Sequence, residues 1–187
     1  MPRSMKDGLN FEKQGKKIYN MSVGTPDFHT PDHIKKALME AAADDQNWRY
    51  SLRDLPELLN AVCAYYKKRF HVEITPDMVM SVYGSQEGMG HLGMTLCDEG
   101  DVVLLPDPCY PVFAAGSKLG GAVPYYYPLV AEHDFLPYVK DIPEDVARKA
   151  RYMVVSLPSN PVGSIATPGL YEEIVAFAKK IRYCNYP

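Results

Sequence analysis

Long apolar runs are missing from this sequence. Nowhere do 18 apolar residues follow one another, so no membrane-crossing helix is expected. The stretch from Met1 to Gly15 mixes charges with glycine and lacks the apolar segment of a leader, and a cytoplasmic location is expected. A dominant charge is also absent: 20 Lys and Arg stand against 23 Asp and Glu, scattered along the chain. That leaves no basic stripe to neutralise a nucleic-acid backbone. Cysteine is sparse, and Cys63, Cys97, Cys109 and Cys184 are widely spaced with no C-x-x-C pair. Neither a zinc site nor a disulfide framework follows, and reduced, mostly buried thiols are expected. His29, His33, His71, His91 and His133 show no metal-ligand spacing, and no repeat or low-complexity segment occurs.

What is present suits a folded domain, since 47% of the 187 residues are hydrophobic and 23% charged. After a polar, arm-like stretch ending near Tyr19, Thr30-Pro31 reads as an N-cap and first helical position, leading a helix to about Ala43. Asp54 and Glu57 have capping-box spacing, and Leu55, Leu58, Leu59, Val62, Tyr66 and Phe70 then recur at helical intervals. From there strands and helices alternate. Strands are expected at 78–83, 102–105, 123–127 and 152–157, with helices at 85–97, 111–119, 143–150 and from Thr167-Pro168 to about Lys180. Continuous apolar strands separated by helices imply an α/β sheet, mostly parallel and covered on both faces.

In open α/β sheets ligands bind beyond the carboxyl ends of the strands. Three loops there are unusual. In Gly84-Ser85-Gln86-Glu87-Gly88 a glycine-terminated strand meets a helix whose free N–H groups suit a phosphate, although the same junction serves equally as a plain cap. In Pro106-Asp107-Pro108-Cys109-Tyr110-Pro111 three prolines aim Tyr110 either at a flat heteroaromatic ligand or into a domain edge. In Ser159-Asn160-Pro161-Val162-Gly163 an amide side chain sits on a turn.

In this order and spacing the three loops resemble the fold-type I pyridoxal-phosphate enzymes, the class I and II aminotransferases of the aspartate-aminotransferase type, in the branch that includes LL-diaminopimelate aminotransferases. The resemblance runs from about Ser22 to Lys180. It takes in Val23-Gly24-Thr25-Pro26-Asp27-Phe28-His29-Thr30-Pro31, similar to the family's G-x-P-D-F-x-T-P segment. It also takes in Tyr50-Ser51-Leu52-Arg53-Asp54-Leu55-Pro56-Glu57-Leu58, similar to Y-S-x-x-G-L-P-E-L. Two positions depart: Asp54 stands where the family has glycine, and Val162 where it has threonine. The fold implied is α/β, the truncated large domain of a fold-type I pyridoxal-phosphate enzyme with helices on both faces of a mostly parallel sheet, preceded by an N-terminal arm. Residues 1–45 are expected as arm and small-domain segment, and 46–187 as an incomplete cofactor-binding domain.

The resemblance further implies pyridoxal 5'-phosphate as cofactor. Ser85 and Gln86 would contact its phosphate, Tyr110 stack on its ring, Asn160 bond its ring oxygen, and Tyr50 reach the phosphate of the other subunit of a homodimer. Gly24 would lie beside the substrate, an amino acid or 2-oxo acid, with glutamate and 2-oxoglutarate the expected pair. The family's ring-nitrogen carboxylate, cofactor-bearing lysine and substrate-gripping arginine lie downstream of the N-P-x-G loop. The 187 residues alone are therefore expected to be an inactive N-terminal fragment, with no catalytic residue of their own.

Two other readings compete. Gly88-Met89-Gly90-His91-Leu92-Gly93 matches the G-x-G-x-x-G fingerprint of a nicotinamide-dependent oxidoreductase, with Asp107 near the expected acidic position. Four residues separate it from the strand, however, so its glycines fall within the helix, and Glu87 sets a negative charge against a pyrophosphate. A non-catalytic remnant that binds a phosphate ligand or a partner is the other. Ser117-Lys118 mimics the family's lysine dipeptide but lies in a helix, as a solvated lysine. Tyr125-Tyr126-Tyr127 reads as strand packing.

Overall fold

The computed structural model describes residues 11, 13–19, 24, 26 and 28–183, with only the backbone of 182 and 183. Ser22, Val23, Thr25 and Asp27 of the glycine-proline segment, and Cys184 with the tail after it, lie outside the described residues. The chain divides into two compact units, Met1–Arg53 and Asp54–Pro187.

In the first unit α1 (Asp32–Ala42) buries no residue. Its N-cap is Pro31 rather than Thr30, because the chain enters through an extended Pro31 and leaves Thr30 one position outside the first turn. The other end is well finished. Asn47 Nδ2 donates to the Ala41 carbonyl at 2.8 Å and Trp48 Nε1 to the Ala42 carbonyl at 2.9 Å, satisfying acceptors that a helix end leaves free. Both donors sit on a short 3-10 turn, Asp45–Trp48, which the Asp44 carboxylate caps through the Gln46 N–H.

The second unit runs α2 (Pro56–Phe70), α3 (Ser85–Leu96), β1 (Val102–Asp107), α4 (Pro111–Leu119), β2 (Val123–Pro128), α5 (Glu144–Lys149), β3 (Ala150–Met153) and α6 (Leu170–Tyr183). The strands form a parallel sheet in the order β2-β1-β3. Central β1 alternates its side chains between two cores. Leu104 faces Tyr127, Leu129, Val139, Ile142 and Ala147, with Ile174 and Phe177 of α6 behind them. Val103 and Leu105 face Ala122 and Val154, with Phe113 and Ala114 of α4. Helices therefore cover both faces. Val103 and Leu105 are fully buried, each removal from water being worth about 1.5–3 kcal/mol.

Along β3 the register slips by one residue, since Val102 pairs with Ala150 and Val103 with Tyr152. The extra residue is Arg151. Its guanidinium bridges Asp101 at 2.6 Å, and Asp101 also accepts the Asp98 N–H, so both contacts hold the Asp101 carboxyl below its ordinary range.

Three further expectations need correction. Residues 78–83 form no strand: Pro76–Met78 is a 3-10 turn and the chain beyond runs extended without a ladder, with Met80 77% and Tyr83 98% exposed. Strand geometry needs a hydrogen-bonded neighbour, and this segment has none among the described residues, β3 included. Asp54 does not cap α2. Leu55 holds the cap position and the Asp54 carboxylate turns to Ser81. At the last helix, Thr167-Pro168 gives way to Gly169 at φ 86, and α6 starts at Leu170.

Candidate functional site

Strands β1 and β3 lie side by side, yet their outgoing connections leave on opposite faces, toward α4 and α6. Such a divergence opens a crevice at the carboxyl ends of the strands. A cleft of about 310 Å³ lies there, lined by Ser85, Gln86, Met89, Tyr110, Val112, Phe113, Ser156 and Asn160. Four residues singled out on three separate loops thus meet at one place.

Each arrives by its own local device. Gly84 precedes α3 at φ 89, a conformation open to glycine and rarely to other residues, and makes the sharp turn that puts Ser85 and Gln86 on the first turn of the helix. Their N–H groups sit where a helix leaves donors unused and its dipole is positive. The Glu87 carboxylate folds back onto the Tyr83 N–H at 2.5 Å. Tyr110 is the N-cap residue of α4, with Pro111 at the first helical position. Its ring meets Phe113 edge-on at 6.1 Å, which limits its swing. Asn160 rides a turn closed by Gly163 N–H to the Ser159 carbonyl at 2.6 Å and Ser159 N–H to the Ser164 carbonyl at 2.9 Å. The 107–108, 157–158 and 160–161 peptides that shape these loops are cis to proline.

The donor set suits a phosphorylated flat ring: helix-end N–H groups and hydroxyl and amide side chains for an anion, an aromatic face for a ring, and an exposed amide for a ring oxygen. Ser156, Met89, Val112 and Phe113 were not foreseen in the sequence. Ser156 had a signal, since it stands two residues past buried Val154 where the chain leaves the sheet. Gly24 and Tyr50 belong to the first unit and are both exposed, Tyr50 by 90%.

The glycine fingerprint has a different use. A Cβ on Gly93 would lie 2.3 Å from the Gly116 carbonyl oxygen, and one on Gly120 would lie 2.3 Å from Gly93 backbone. These glycines let α3 and α4 touch backbone to backbone. The fingerprint glycines occupy the helix interior, where no pyrophosphate turn exists. Lys118 is exposed on α4, as expected of a solvated lysine. No group of three potential metal ligands occurs among the described residues, and no described helix is long and apolar enough to cross a membrane.

Comparison with known proteins gives the family and the fold. The family description "Aminotransferase class I and II" matches residues 16–183. An LL-diaminopimelate aminotransferase of Dehalococcoides mccartyi (strain ATCC BAA-2266 / KCTC 15142 / 195) is 42% identical over 169 residues, which are 89% of this chain and 44% of the relative. That of Desulforudis audaxviator is 40% identical over 89% of this chain and 43% of its own length. The chain therefore spans under half the length of these curated relatives. Among solved structures, apo-BacF of Bacillus subtilis superposes with a TM-score of 0.85 at 34% identity, over 96% of this chain and 48% of that one. A probable N-succinyldiaminopimelate aminotransferase from Thermus thermophilus gives 0.85 at 30%, over 95% and 48%. With nine-tenths of its length matched and the nicotinamide reading left without support, this chain belongs to the class I and II aminotransferases.

Proposed function

We propose that the cleft between the start of α3, the start of α4 and the loop after β3 is the phosphate and ring-face portion of a pyridoxal-phosphate site in an aminotransferase. The observation that carries this is the convergence of Ser85, Gln86, Tyr110 and Asn160 on one cleft. Ser85 and Gln86 hold the phosphate through N–H, hydroxyl and amide donors at the start of α3. Tyr110 covers one face of the ring, and Asn160 donates its amide to the ring oxygen. When bound, the cofactor supplies an electron sink for removing the α-proton of an amino acid.

The remaining parts of the reaction belong to residues outside these 187: a carboxylate for the ring nitrogen, a lysine to move the proton, and an arginine fork for the substrate carboxylate. On this reading residues 1–45 are arm and small-domain segment, and 46–187 the cofactor-binding part. Gly24 lines the substrate, and Tyr50 reaches a second subunit of a cytoplasmic homodimer. The substrates are an amino acid and a 2-oxo acid. The names of the relatives make LL-diaminopimelate the first amino donor to assay in a family-length chain, with 2-oxoglutarate, the acceptor the family resemblance implies, as its partner.

Titrating the chain with pyridoxal phosphate and, separately, with NAD(H) tests the reading. Saturable binding of pyridoxal phosphate is expected. Binding of NAD(H) with none of pyridoxal phosphate would overturn it.

A further inference from the structure

Proline is an awkward residue for a central strand, and β1, which lies between β2 and β3, carries Pro106 two residues past its last β3 pair, Leu104 with Met153. Its odd-numbered residues turn their backbone toward β2, as the Leu129 N–H to Asp107 carbonyl bond shows at 2.7 Å. Its even-numbered residues face β3. The Val154 N–H donates to the Leu104 carbonyl at 2.9 Å. In a parallel ladder the carbonyl of that same residue then receives the N–H two positions further along the neighbour, which here is residue 106. Pro106 has no N–H to give. Val154 is buried, so water does not readily replace the lost partner.

A side chain fills the gap. Tyr127 of β2 is the register partner of Pro106, 2% exposed, and its hydroxyl donates to the Val154 carbonyl at 2.6 Å. The contact reaches past β1 on the face of the sheet where Leu104 packs. Burial also pushes the Tyr127 phenol well above its ordinary pKa, so the donor keeps its proton.

We propose that the Tyr127 hydroxyl stands in for the N–H that Pro106 lacks and, by holding the Val154 carbonyl, sets where the following loop delivers Ser156 and Asn160 to the cleft. Tyr127 is then a positioning residue. It lines no part of the cleft and acts through the end of β3. The functional part of this inference rests on the reading of the cleft as a pyridoxal-phosphate site.

The test compares four forms of the chain: unaltered, Tyr127→Phe, Pro106→Ala, and the double variant. Hydrogen exchange of residues 154–164 and affinity for pyridoxal phosphate are read well below the melting temperature. Tyr127→Phe keeps the ring and removes the donor, and is expected to raise exchange about tenfold and weaken the cofactor roughly three- to tenfold. In the double variant the backbone N–H restored at position 106 takes the vacant acceptor, and both properties return toward those of the unaltered chain. A merely structural loss of packing would not be rescued by a change on the neighbouring strand. Unchanged exchange in Tyr127→Phe, or an effect that Pro106→Ala fails to rescue, would overturn the proposal. Exchange that follows the expected pattern in a chain that never binds pyridoxal phosphate would support the role of the Tyr127–Val154 bond and sink the cofactor reading instead.

Discussion

Asp54 holds Ser81 with both carboxylate oxygens: the Ser81 N–H donates to Oδ2 at 3.1 Å and its hydroxyl to Oδ1. The two lie on either side of α2, so the clasp closes the chain from Asp54 to the segment that leads into Ser85. Bonding from the Ser81 hydroxyl, then from its N–H, draws the Asp54 carboxyl below its ordinary 3.8. A lowered carboxyl pKa means the clasp is fully present above about 3.8 and is lost as pH falls through the lowered value. The Ser81 amide resonance is expected to shift with a midpoint below 3.8. In Asp54→Asn that step disappears and 79–84 loosens at neutral pH. An Asn variant with unaltered Ser81 protection would show the clasp to be idle.

The glycines of α3 differ in what surrounds them. Gly93→Ala forces its Cβ into the Gly116 carbonyl, and overpacking of this kind costs about 1–3 kcal/mol. Gly88→Ala meets only the Val82 side chain at 3.8 Å, and replacing a helix-interior glycine there is worth about 0.5–1 kcal/mol in its favour. Urea unfolding of the two variants should move in opposite directions. Equal stability for Gly93→Ala and the unaltered chain would mean that the helices are not in backbone contact.

Tyr110 and Lys118 separate the proposed cofactor site from its mimic. Losing an aromatic stacking partner is worth about 0.5–1.5 kcal/mol, so Tyr110→Ala is expected to weaken pyridoxal phosphate roughly two- to tenfold. Lys118→Ala should leave affinity unchanged, because this exposed lysine is not among the cleft-lining residues. Neither form should transfer an amino group as the 187-residue chain alone. A borohydride-fixed cofactor adduct at Lys118 would refute the prediction for that lysine.

The extended segment after Met78 exposes Met80 and Tyr83, and β3 offers an edge without a neighbour among the described residues. Unpaired edges and bare apolar side chains favour association. Light scattering on the isolated chain is expected to give a mass above 21.0 kDa, and Met80→Lys with Tyr83→Lys to lower it. A monomer at every concentration, with segment 79–83 exchanging freely, would contradict this.

The sequence was most legible where local chemistry decides. Pro111 and Gly120 bracket α4, which runs Pro111–Leu119 as expected, and the apolar runs at Val102 and Val123 are strands. Ser85, Gln86, Tyr110 and Asn160 were readable from their loops and family spacing, and they share one cleft. It failed where distant partners decide. Residues 78–83 have strand composition, but a ladder is a property of two segments, and β propensity alone supplies only one. Asp54 has capping-box spacing with Glu57, yet the stronger offer came from Ser81, 27 residues away. Tyr127 read as packing. A proline inside an expected central strand could have prompted a search for a replacement donor.

The glycine seam between α3 and α4 joins more than two helices. Both run the same way, with Gly90 against Gly116 and Gly93 against Gly120. Ser85 begins one and Tyr110 caps the other. Backbone packs on backbone at Gly93, Gly116 and Gly120, so the start of α3 at Ser85 and the cap of α4 at Tyr110 are held at a set spacing. The separation of those two starts is therefore set by backbone contact, and on the proposed cofactor reading it is this contact, rather than the loops, that spaces the phosphate donors from the aromatic face.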